Sequence, residues 1–133
     1  MGLHRTGTRL GAARLALALA LALGSAGAAA HHGWSWAEGE QTELRGTIRE
    51  VYVGPPHPTL RVEAADGRIW TVELGNPRLT ANSGFTTESA RAGEAVTALG
   101  NRSRNPEERR LKAVRITVRD RTYDIYPDRI RGS

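Results

Sequence analysis

The sequence predicts a mostly β chain: a small five-stranded β-barrel of the oligonucleotide/oligosaccharide-binding (OB) type, with one short helix, after an N-terminal signal peptide. Three observations carry that expectation. From Thr42 onward apolar residues recur with period two, in short runs broken by turn residues. One break, residues 76–84, has helical instead of alternating character. The order strand, strand, strand, short helix, strand, strand is that of an OB barrel, whose bent first strand often carries a bulge or a glycine.

The chain opens with a block of different composition. His4, Arg5, Arg9 and Arg14 precede the unbroken LALALALAL of residues 15–23, and small residues follow as far as Ala30. A basic start, a short apolar centre and Ala-x-Ala sites form the pattern of a secretory signal, whereas a membrane span needs roughly 20 apolar residues. An uncleaved N-terminal anchor is the alternative. Cleavage after residue 30 leaves 103 residues, a length that suits one small domain. The expected organisation is a signal over 1–30, an N-terminal arm over 31–41, the barrel over 42–126 and a tail over 127–133.

The first strand, TELRGTIREVYVG over 42–54, places Leu44, Gly46 and Ile48 on one face and then shifts phase to Val51 and Val53. A bulge near Glu50 accounts for the shift. In HPTLRVEAADGRIWTVELG, over 57–75, Leu60, Val62 and Ala64 alternate with polar residues, and Trp70, Val72 and Leu74 do so again. Asp66-Gly67 between them predicts a hairpin with a type I′ turn. Residues 76–84 predict a helix of one or two turns, with Asn76 as its N-cap, Pro77 at its first position and Gly84 beyond its end. EAVTALGNR at 94–102 and RLKAVRITVRD at 110–120 supply the last two long strands, and a short edge piece at 123–126 precedes a fraying end.

Three of the 19 Lys and Arg lie in residues 1–30 and none of the 14 Asp and Glu do, so removing that segment lowers the formal charge from +5 to +2. The high overall basicity is therefore weak evidence for nucleic acid, which an exported protein is not expected to meet. Residues 102–121 nevertheless hold eight Lys and Arg against three acids, read as a solvated strand edge, with a basic docking face for an envelope protein or glycan as the sharper alternative. With no cysteine the chain has no disulfide, thiolate metal site or cysteine nucleophile. A periplasmic or secreted location, with no membrane span after cleavage, is expected.

Several segments in order carry a resemblance. They are His31-His32, LRGTI at 44–48, PPHPTL at 55–60, WTVELGNP at 70–77, Gly84-Phe85 and GEAV at 93–96. The set resembles a group of small exported bacterial proteins that carry a domain of unknown function. Their pattern runs from His-His through L-x-G-x-(I/V), an Asn-Pro-His loop and W-x-(V/L)-E-L-G-x-P to G-(W/F) and G-(D/E)-x-V. Here Pro55 stands where the pattern has asparagine, and the histidine is retained as His57. The resemblance implies a fold and a compartment, and no reaction.

His31, His32 and His57 are the only histidines after the signal. A cut after Ala30 makes His31 terminal, so that its α-amine and ring nitrogen chelate together, with His32 or His57 completing the set. A cut after Ala29 puts His32 third, and an amine, two deprotonated amides and that imidazole form a square-planar nitrogen site. Either set suits Cu(II), and the second also suits Ni(II). The opposing reading is a pair of polar residues tolerated in a loose terminus. His57 lies in the first loop between prolines, at the mouth where OB barrels bind ligands, and the bland alternative is a histidine bonded to a backbone carbonyl. Trp34 and Trp36 are expected to share one face of an extended segment and anchor the arm. No carboxylate spacing, nucleophile elbow or phosphate loop marks a catalytic site, so a non-enzymatic binding protein is expected, possible partners being a metal ion or small ligand.

Overall fold

The computed structural model describes residues 33–131 and the isolated Gly2. The chain divides into two compact units, Met1–Gly33 and Trp34–Ser133. The expected signal peptide and both adjacent histidines, His31 and His32, lie outside the described residues, and every element below belongs to the second unit.

The fold is mostly β. Six strands, β1 (Ala37–Tyr52), β2 (Thr59–Ala64), β3 (Ile69–Glu73), β4 (Ala95–Ser103), β5 (Arg110–Val118) and β6 (Arg121–Asp124), accompany one short helix, α1 (Pro77–Asn82), and a 3₁₀ turn at Pro127–Arg129. The sheet order is β3-β2-β1-β4-β5-β6, and a further parallel pairing of β3 with β5 joins Thr71–Glu73 to Arg110–Lys112. Strands β1, β2, β3, β5 and β4 thus close into a barrel-like ring with the expected connectivity, and β6 is a sixth strand outside it. Among the described residues no helix is long and apolar enough to cross a membrane.

Ring closure depends on the bend in β1. Its first half pairs with β4 and its second half with β2, and Gly46 belongs to both ladders, opposite Ala64 and Val96. A Cβ at Gly46 would run into the Glu63 carbonyl oxygen, so this crossing needs glycine. The register shift expected near Glu50 lies between Ile48 and Glu50. A second shift, between Ala37 and Gln41, was not legible; there three residues of β1 face one of β4. The strand begins at Ala37, inside the stretch read as an arm.

The hairpin between β2 and β3 forms as expected, but with a different turn. Gly67 N–H donates to the Ala64 carbonyl and Ala64 N–H to that of Arg68, and within this turn only Gly67 has positive φ, at 78°. This is a three-residue loop with a glycine bulge, which spares Asp66 the left-handed conformation that type I′ would impose. Arg119 and Asp120, at φ 51° and 62°, instead make the two-residue connection of β5 to β6. Helix α1 is capped as predicted, with the Asn76 side chain accepting from Leu79 N–H at 2.8 Å, Pro77 in the first turn and Gly84 beyond its end at φ 87°.

The interior is filled by the alternating residues of the ring, including Ile48, Leu60, Val62, Val72, Leu111 and Ile116, together with Phe85 from the segment after α1, whose ring meets Tyr123 edge-on at 5.2 Å. Each such side chain contributes about 1.5–3 kcal/mol by leaving water. Strand β5 corrects one expectation. It is no solvated edge: β4 lies along one side, while β3 and β6 share the other. Residues Leu111 to Val114 are accordingly all buried. Residues 129–131 of the tail are tied down as well, because Gln41 donates to the Arg129 carbonyl and accepts from Arg131 N–H at 3.1 Å.

Candidate functional site

Parallel pairing sets Glu73 directly opposite Lys112, and both side chains are buried. Lys112 Nζ donates to Glu73 Oε1 at 2.8 Å and to the Leu74 carbonyl at 3.2 Å, while Arg110 Nη2 donates to Glu73 Oε2 at 2.5 Å. Burial pushes the Glu73 carboxyl up, but donation from Lys112 and Arg110 outweighs it, so the group titrates below its ordinary value. Burial likewise lowers Lys112, and its bond to Glu73 opposes the shift without cancelling it.

His57 joins the rim of this cluster. The loop after β1 brings its Nε2 to 3.7 Å from Glu73 Oε1, and its Nδ1 is buried with no hydrogen-bond partner among the described residues. The bland expectation of a histidine satisfied by a backbone carbonyl therefore fails at Nδ1. No group of three or more His, Cys, Asp or Glu able to hold a metal occurs among the described residues, so His57 and Glu73 are together but form no ligand set of their own.

Aromatic side chains cover the cluster. The ring of Trp34 meets that of Tyr126 edge-on at 4.9 Å and lies 5.8 Å from Lys112 Nζ, with the Arg129 guanidinium 4.2 Å above it. Trp36 carries the Arg110 guanidinium at 3.8 Å. Burial, and then the charge of Glu73, raise the Tyr126 hydroxyl above its ordinary pKa. The tryptophans do anchor the start of the folded unit, but residues 33–36 form a turn and not an extended segment, so the two rings meet different partners.

The basic run of residues 102–121 is mostly engaged within the fold. Arg102 lies over Trp70, Arg104 donates to the Ala37 carbonyl, Arg115 pairs with Asp124 and Arg119 with Glu94, in addition to Arg110 and Lys112 on Glu73. In the sequence no carboxylate spacing distinguishes Glu73, and Lys112 falls within the basic run of residues 102–121 that reads as a solvated edge. The signal available was a lysine inside the apolar alternation of β5, which asks for a buried acid.

No curated protein matches the chain. A family profile described as "Family of unknown function (DUF6152)" matches residues 18–112, a span that includes His31, His32, His57, Glu73 and Lys112. By that match, which covers more than half of its length, the chain belongs to the DUF6152 family of unknown function.

Proposed function

We propose that this chain is an exported, non-enzymatic binding protein that, once residues 1–30 are removed, holds Cu(II) through its new N-terminus. The observation that carries the reading is the placement of His31 and His32 immediately after Ala28-x-Ala30, so that processing exposes imidazoles beside a free amine. Nitrogen donors in a five- or six-membered chelate favour copper over the other divalent ions of its row. The required ligands all lie in one short segment, and the reading does not depend on His57.

The test is a Cu(II) titration of processed chain whose first residue has been identified by mass spectrometry. One equivalent should raise a visible d-d band that the His31→Ala, His32→Ala double variant lacks. A band unchanged in that variant, or none at stoichiometric copper, contradicts the proposal. A His57→Ala variant reads whether a third imidazole takes part: the band keeps its position if the terminal segment suffices. Processed chain acetylated at its first residue lacks the terminal amine of either chelate and serves as the negative control.

A further inference from the structure

A second site is independent of copper. Where β1 parts from β4, between Ala37 and Gln41, a groove of about 540 Å³ opens between that bulge and the C-terminal 3₁₀ turn. Its wall is built and not accidental. The Nδ2 of the buried Asn101 donates to the Glu38 carbonyl at 2.8 Å and the Glu40 carbonyl at 3.2 Å, holding the bulge open. Because both partners are acceptors, the amide orientation is fixed. Asn101 Oδ1 is left buried without a donor among the described residues.

Three guanidiniums line the groove, and among the described residues each is held by one contact. Arg104 Nε donates to the Ala37 carbonyl at 2.9 Å, Arg131 Nη1 to the Gly39 carbonyl at 3.1 Å, and Arg129 lies on Trp34. A guanidinium carries five N–H donors, so each keeps a fork to offer. Glu38 and Asp128 also line the groove, and none of these five charged groups makes an ion pair among the described residues. Elsewhere in the fold several arginines pair with acids, as Arg115 does with Asp124 and Arg119 with Glu94.

The geometry points to this groove as a binding site for a short oligosaccharide that carries a carboxylate. Its volume suits a small ligand and not a protein surface. The arginine forks match a carboxylate bidentately. Glu38 and Asp128 repel a polyanion, yet accept from sugar hydroxyls.

The test is an amide-correlation NMR titration of the processed full chain with trigalacturonate, with maltotriose and tripolyphosphate as comparison probes. Trigalacturonate should shift resonances at Gly39, Asn101, Arg104 and Arg129 in the millimolar range or below, more tightly than either comparison. Arg104→Ala and Arg131→Ala should each weaken it about tenfold, the loss of one charge-assisted contact. Asp128→Asn removes a repelling charge from an exposed position and should strengthen it, a readout that no folding defect mimics. Equal binding of maltotriose, tighter binding of tripolyphosphate, shifts away from the groove, or no shifts at all would overturn the assignment.

Discussion

Replacing Glu73 by glutamine keeps the shape of the side chain and removes its charge. Lys112 is fully buried and, among the described residues, has only Glu73 and the Leu74 carbonyl within hydrogen-bond reach, so the variant strands an ammonium away from water. Breaking a buried pair in this way costs about 3–5 kcal/mol. The lower end applies, because the glutamine oxygen still accepts one bond. With about 4–8 °C of melting temperature per kcal/mol in a domain of this size, the midpoint should fall by more than about 10 °C. Thermal unfolding followed by tryptophan fluorescence measures the midpoint and urea unfolding the free-energy loss, with an unchanged m-value showing that stability and not compactness has moved. Adding Lys112→Met should restore most of the loss, since an apolar replacement removes the stranded charge. The pH dependence has a definite sign. Glu73 has a lowered folded pKa, so its contribution is present above the unfolded carboxyl value of about 4.3 and disappears as pH falls through the folded value. Wild type and Glu73→Gln should therefore converge in acid. A loss below about 1 kcal/mol at neutral pH would refute the claim that Lys112 is charged and buried.

Gly46→Ala should destabilise by about 1–3 kcal/mol, the range for forced overpacking, because its Cβ meets the Glu63 carbonyl and Val62 Cγ1 where the ladders cross; a melting temperature equal to wild type would mean that β1 bends elsewhere. Asn76→Ala removes the cap of α1 and should lower stability by about 1 kcal/mol by chemical denaturation. Breaking the half-exposed Arg115–Asp124 pair with Asp124→Ala should change stability by less than about 1 kcal/mol despite its two short bonds, and that small effect should shrink further in high salt.

What could be read from the sequence follows from how far each signal reaches along the chain. The phase shift before Val51, the Asn76-Pro77 start and the Asp66-Gly67 hairpin are local patterns, and the fold honours them. The hairpin's turn type was misread because Asp-Gly fits either a two-residue loop or a three-residue loop with the glycine as a bulge, and the register of β2 against β3 chooses. The turn at Arg119-Asp120 carries no glycine, so nothing in its residue types announced positive φ. Glu73 and Lys112 are 39 residues apart, and they meet only because β3 and β5 close the ring in parallel. The groove depends on the same kind of distance, joining the start of β1 to the C-terminal residues. The histidine pair is the reverse case: His31 and His32 were legible as a motif and lie outside the described residues.

Electron paramagnetic resonance of the processed chain at one equivalent of Cu(II) tests the proposed role most directly. The expected spectrum is axial, with superhyperfine splitting from several directly bound nitrogens, and it should collapse in the His31→Ala, His32→Ala variant. A spectrum of oxygen-ligated, aquo-like copper in the wild-type protein would contradict the proposal.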